Sequence, residues 1–327
     1  MNQALTQKTN GATVLGFLRD YGAIFGMLAV LAIFYYLQPA FLHPNNVLNV
    51  LRQSAVLIAI SLGMAIVMSM RGVDLSAAQI ADAAGLIAAM LIINGEPTWM
   101  AFVIPVIFGI VAGGINGILA AYVGVPAIIG TLGMMFIIRS GELILSNGAE
   151  PQILFSLPRG LTQNFLFLGQ GNIGPVATLI ILAVVLFLVV WALMSITSFS
   201  RRARAIGANV RAAYLAGLSI RSVFALGFVA SGVLAAIGGV ALASRTGVAM
   251  PRGAEPFLLD AFAAVFLGTL FSKQGGISIP GTLIGALFIG FLGNGLTIVG
   301  LGAPYRFALN GGFILLAMAV GGLKRRT

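Results

Sequence analysis

The chain has no cysteine and a single histidine, His43, among its 327 residues. It therefore cannot supply the ligands of a Cys/His zinc site, an iron–sulfur cluster or a disulfide framework, and no metal ligands are assigned. Charge is scarce as well. Charged residues make up 8% of the chain, where a soluble domain carries about 25%. With 59% hydrophobic residues and a mean hydropathy of +1.06, an ordinary water-soluble enzyme is excluded. Hydrolytic chemistry has no support: there is no G-x-S-x-G elbow, and a Ser-His-Asp triad would have to use His43, which in FLHPNN is placed to start a turn. No catalytic residues are expected. Lysine is almost absent too, and none of Lys8, Lys273 and Lys324 follows a glycine, which rules out a P-loop in this chain.

What is present is apolar sequence. Stretches at about 21–38, 53–70, 75–93, 99–122, 125–146, 176–197, 223–243, 257–271, 281–301 and 305–322 predict an all-α polytopic membrane protein with about ten transmembrane helices. The 257–271 run is short for a full crossing, and Arg71 and Asp74 interrupt the apolar sequence around 71–80. If both termini are cytoplasmic, the inner segments hold twelve of the 18 Lys and Arg residues and the outer ones five, with Arg139 inside a span. That bias favours both ends inside and hence an even number of spans. The surplus of ten positive charges is then an orientation signal for a lipid bilayer rather than a mark of nucleic-acid binding. The expected layout is a cytoplasmic N-terminal segment (1–20), one transmembrane permease domain (21–322) and a basic cytoplasmic tail (323–327). The first apolar run lacks a small-residue cleavage pattern and reads as a retained anchor. Two five-span halves would have opposite topology, a common transporter plan.

Glycine is abundant, 43 residues or roughly 13%, where about 7% is usual. Gly109, Gly113 and Gly117 lie four apart in one span, and Gly281 and Gly285 in another, spacing that lets helix backbones approach closely. The seam could lie within one subunit or between two. The longest connections are about 147–175, outside, and 198–222, inside. The outer one mixes Pro, Gly and aromatics and reads as a lid, a re-entrant piece or an interfacial helix.

The inner connection contains SRRARAIGANVRAAYLAGLSIRSV (200–223), in which Asn209 is a good N-cap, VRAAYLA a short helix and Gly217 its C′ residue. Such a helix is too short and basic to span, and it leaves Val210, Tyr214 and Leu215 available to a partner. The same stretch, AIGANVRAAYLAGLSIRSV, resembles the cytoplasmic loop of sugar ABC-importer permeases of the ribose-permease type. RGVDLSAA (71–78) is similar to that family's Gly-Ile-Asp-Leu-Ser segment, and VPAIIGTLGMM (125–135) to its Val-Pro-x-Phe-Ile-x-Thr-Leu-Gly segment. LLDAFAAVFLGTL and GTLIGALFIGFLGNGLTIVG resemble its C-terminal signature. The four stretches follow one another in the family's order, from about residue 50 to the C-terminus. Departures occur at Arg71, where Gly is common, at Ala77-Ala78-Gln79 for Val-Gly-Ser, at Ile128 for Phe, and in GGISIPGT (275–282).

The resemblance implies a multi-pass subunit of the bacterial cytoplasmic membrane that binds no cofactor itself. ATP and Mg would be used by a cytoplasmic ATP-binding subunit gripping a coupling segment, 201–221, with Gly207, Asn209, Arg211, Ala212, Ala213 and Gly217 at its centre. A periplasmic or extracellular solute-binding protein would deliver a small polar solute, a monosaccharide above all, and a second permease copy or paralogue would complete a dimer. The absent P-loop agrees, since ATP hydrolysis must then come from a partner. The intramembrane ionisable residues are Asp82, Arg139, Glu142 and Asp260, with Asp74 near a span end; such groups are costly in lipid. Arg139 and Glu142, three apart, can pair on one helix face. An uncharged polyol calls for hydrogen-bonding side chains, so Asp74, Asn116, Asn294 and Asn310 are candidate pathway residues, although hydrogen bonding between helices would employ the same groups. The alternative is an ion-coupled secondary transporter using Asp82, Glu142 or Asp260 as its coupling carboxylate.

Overall fold

The computed structural model describes residues 22, 24–272 and 276–324. The expected N-terminal segment 1–20 and residues 325–327 of the expected tail lie outside the described residues, as does Lys273. The helices, in chain order, are α1 (Ile24–Leu37), α2 (Pro44–Ser69), α3 (Ala77–Ile93), α4 (Met100–Ile118), α5 (Ala127–Leu145), α6 (Arg159–Gln170), α7 (Thr178–Ile196), α8 (Ser198–Ala208), α9 (Val210–Leu215), α10 (Ile220–Thr246), α11 (Pro256–Thr269), α12 (Ile279–Ile298) and α13 (Ala303–Lys324). Each of the ten apolar stretches falls on a helix: α1 to α5, α7, and α10 to α13. By length and composition six of them can cross a membrane, namely α2, α4 with its terminal π-turn Leu119–Val123, α5, α7, α10 and α12. Helices α1, α3 and α11 are shorter apolar helices.

Local sequence accounts for several boundaries. His43, expected in a turn, is the extended residue before α2, whose first residue, Pro44, has the φ a helix start requires. Gly124 ends the α4 π-turn in the left-handed region, φ 86°. Among the described residues, strand structure is confined to two short antiparallel pairs, β1 (Gln152–Ile153) with β4 (Val248–Ala249) and β2 (Asn172–Ile173) with β3 (Val176–Ala177).

The core forms around α2 and α10. The apolar window of α2 is 83% buried, against 22% for α5, so α2 is a central helix while α5 presents most of its surface outward. Helix α10 packs against α4, α2 and α3, and α11 against α12, α13 and α2. Inside lipid the hydrophobic effect does not drive helices together, so close backbone approach must do so. Gly113 of α4 faces the Phe228 carbonyl of α10, and Gly285 of α12 faces the Ala264 carbonyl of α11; a Cβ at either position would overlap the facing carbonyl oxygen. Both glycine series read from the sequence thus pack within the chain.

Candidate solute pathway and coupling site

The break between α2 and α3 is the focus of the buried polar residues. Helix α2 ends in a Schellman motif: the Gly72 amide donates to the Val67 carbonyl (3.1 Å) and the Arg71 amide to the Met68 carbonyl (3.0 Å). Arg71 occupies the C′ position in the left-handed region at φ 63°, where glycine carries no steric cost. Its side chain offsets that cost by reaching the end of α8, donating from Nε to the Gly207 carbonyl (2.6 Å) and from Nη2 to the Ala208 carbonyl (2.9 Å). These are carbonyls that a helix C-terminus leaves without an intrahelical partner. The departure at Arg71 therefore has a physical reason.

Asp74 is fully buried three residues further on. Its Oδ1 accepts from the Ser76 amide (3.0 Å) and hydroxyl (2.7 Å), and its Oδ2 from the Ser231 hydroxyl of α10 (2.8 Å). Asn116 of α4 donates to Ser76 Oγ (2.8 Å), and Thr131 of α5 accepts from the Leu75 amide (3.1 Å). Irregular backbone is tolerated at membrane depth only where protein or water satisfies it, and here side chains of α4, α5 and α10 join the break's own Asp74 and Ser76 in doing so. Asp74 and Asn116 thus belong to one cluster.

The inner connection folds into two helices rather than the single one expected. Thr197 caps α8, which buries Ser200, Ala203 and Ile206 and exposes Arg201, Arg202 and Arg204. Gly207 lies against the Ser69 carbonyl so closely that a Cβ would overlap it. Asn209 caps α9, its Oδ1 accepting from the Ala212 amide (3.0 Å). Gly217 takes φ 74° at C′, with the Leu218 amide donating to the Ala213 carbonyl (3.1 Å). Ala213 is buried, whereas Arg211, Ala212, Val210, Tyr214 and Leu215 are exposed, the last two at 70% and 78%.

A cavity of about 430 Å³ opens beside the break, with Leu75, Gln79, Met135, Arg139, Glu255 and Phe307 among its lining. Gln79 donates to Glu142 Oε2 (2.6 Å), while Glu142 Oε1 is buried without a hydrogen-bond partner among the described residues. Glu142 therefore pairs with the Gln79 amide of α3, while Arg139 lines the cavity and forms no ion pair with it, which corrects the expected pairing. At the rim Arg252 pairs with Glu255 (3.4 Å). The remaining candidates lie elsewhere. Asp82 Oδ1 accepts from the Ala254 amide (2.5 Å), fixing the segment before α11. Asp260 of α11 pairs with Arg306 and accepts from Asn310, both on α13. Asn294 exchanges two hydrogen bonds with Asn46, at 2.8 and 3.0 Å. The hydrogen bonds thus leave the four pathway candidates in three groups, and the cavity brings in Arg252 and Glu255, which the sequence reading gave no role, and Gln79, which it named only within a departure from the family's pattern.

Residues 46–318 match the family described as branched-chain amino acid transport system / permease component. The chain is 34% identical to the ribose import permease protein RbsC of Bacillus subtilis, over 93% of this chain and 92% of the relative. It is 30% identical to RbsC of Escherichia coli (strain K12), over 94% and 95% of the two chains. The galactose/methyl galactoside import permease protein MglC of Salmonella typhimurium is 30% identical over 96% and 97%. No solved structure matches the chain.

Proposed function

Since the chain belongs to the branched-chain amino acid transport system / permease component family, we propose that it is the membrane-spanning permease subunit of an ATP-driven, binding-protein-dependent sugar importer. The observation that carries this reading is similarity to ribose and galactose import permeases along almost the whole chain. That likeness favours a sugar over the amino acids of the family description, and the cavity, with amide, guanidinium and carboxylate groups beside Phe307, suits a polyol. It also weighs against ion coupling, and Asp82, Glu142 and Asp260 already have hydrogen-bonding roles in holding helices together.

In this reading the chain lies in the bacterial cytoplasmic membrane and crosses it ten times, both ends inside, in two halves of five with opposite topology. Two contacts support the assignment of sides: Arg52 donates to Asn172 (2.9 Å), both read as outer, and Arg71 to Gly207 and Ala208, all read as inner. The exposed Arg211, Tyr214 and Leu215 of α9 meet a cytoplasmic ATPase, where ATP and Mg are consumed. A solute-binding protein docks outside, and a second permease copy or paralogue covers the outward apolar face of α5. Closure of the ATPases moves α8 and α9, and Arg71 passes that displacement to the break holding Asp74.

The test is uptake into proteoliposomes containing the permease with its ATP-binding and solute-binding partners. Uptake of D-ribose or D-galactose that requires both ATP and the binding protein is the expected result. Uptake driven by a proton or sodium gradient alone overturns the reading.

A further inference from the structure

We infer that the cavity between α3, α5, α11 and α13 is where the solute is held in transit, its hydroxyls met by Gln79, Arg139 and Glu255 and its apolar face by Phe307. The inference rests on the sugar-importer reading and adds to it a site and the chemistry of what occupies it.

The size is right: at about 430 Å³ the cavity falls within the roughly 300–1,000 Å³ of small-molecule sites. The lining has the expected division too, an apolar wall carrying a few convergent polar groups. Leu75, Met135, Leu259 and Phe307 form the wall. Gln79 uses one amide hydrogen on Glu142, which leaves its carbonyl and second hydrogen for a ligand. Glu142 is buried immediately behind Gln79, outside the lining, and its Oε2 holds the Gln79 amide in position at the wall.

Charge then selects the class of ligand. Arg139, Arg252 and Glu255 line the cavity, and Glu142 stands behind Gln79, giving two positive and two negative groups in all. A balanced set has no net attraction for an anion or a cation. It offers planar donors and acceptors in pairs, and adjacent hydroxyls of a monosaccharide can satisfy both at once. Lipid chains are excluded by the same groups, since an ionisable side chain facing hydrocarbon is costly.

The site is also placed where it can be opened and closed. Leu75 lines it and belongs to the break whose Asp74 is tied to α10 and whose Arg71 is tied to α8. A shift of α8 is therefore one side chain and three residues away from the wall of the cavity.

The absence of cysteine gives a clean assay. Met135→Cys and Leu259→Cys each introduce the sole thiol of the chain. In proteoliposomes with both partners, maleimide labelling at these positions is expected to slow at least threefold when the binding protein is loaded with D-ribose or D-galactose and ATP is present. In parallel, Arg139→Met and Gln79→Leu are expected to lower uptake per ATP hydrolysed at least tenfold. Labelling rates indifferent to sugar, or wild-type uptake per ATP in Arg139→Met, overturn the site while leaving the importer reading intact. A wild-type protein that takes up neither sugar under any ATP or binding-protein condition overturns the importer reading, and the site with it.

Discussion

Replacing Arg71 separates two contributions that the folded structure combines at one residue. Its left-handed backbone costs a non-glycine residue roughly 1–2 kcal/mol, and its guanidinium makes two hydrogen bonds to the end of α8. Arg71 is exposed, so each bond contributes about 0.5–1.5 kcal/mol, below the roughly 1.5–3 kcal/mol of bonds to less solvated charged groups. Arg71→Ala keeps the strain and removes the bonds, for a loss of about 1–3 kcal/mol. Arg71→Gly removes both, but glycine loosens the unfolded chain by about 0.4–1 kcal/mol. The net expectation is that Arg71→Gly is more stable than Arg71→Ala by about 0.5–1 kcal/mol. Denaturant titration in detergent micelles reads this difference. Uptake per ATP hydrolysed reads the other contribution, and both variants should lose it together because both lose the link to α8. Equal stability of the two variants refutes the account of the backbone, and full coupling in Arg71→Gly refutes the link.

Other perturbations test neighbouring contacts. Gly207→Val places a Cβ on the Ser69 carbonyl and should push α8 off the end of α2, so membrane levels stay normal while uptake per ATP falls at least tenfold; normal uptake would remove 201–221 from the coupling role. Asp74→Ala leaves the Ser76 amide and Ser231 hydroxyl without their acceptor and should cost about 1–3 kcal/mol, with Asp74→Asn costing less because it keeps an oxygen. Equal losses in unfolding measurements would contradict that assignment. Asn209→Ala should destabilise α9 by about 1 kcal/mol and reduce ATPase-coupled uptake, and Asn209→Ser should restore most of it. If the serine variant behaves like alanine, capping is not what Asn209 contributes.

Features carried by short-range patterns were legible in the sequence. Apolar runs located α1 to α5, α7 and α10 to α13, and Asn209 and Gly217 bracketed α9, because capping depends on residues within one turn. The glycine spacing marked close seams, although the partner helix, α10 or α11, is set by tertiary packing that spacing does not encode. The outer connection was left open among three forms. It folds as α6, held to α10 by the Gly169 amide donating to Ser244 Oγ (2.7 Å) and Ser244 Oγ donating to the Phe165 carbonyl (2.6 Å). Gln79 was visible only as part of a departure from the family's pattern, because its significance comes from Glu142, 63 residues away, and from a cavity whose walls are contributed by four separate helices. Helix α8 was hidden by its composition: three arginines obscure an apolar stripe of only Ala203 and Ile206.

Helix α10 runs for 27 residues without a proline. At about 1.5 Å per residue it is about 40 Å long, more than the roughly 30 Å of the hydrocarbon layer. One end starts directly after α9, and the other is clasped by α6 through Ser244. In the importer proposed above such a helix would serve as a push-rod beside the Arg71 link: a partner docking at either end would load the same shaft, and the two ends would move together.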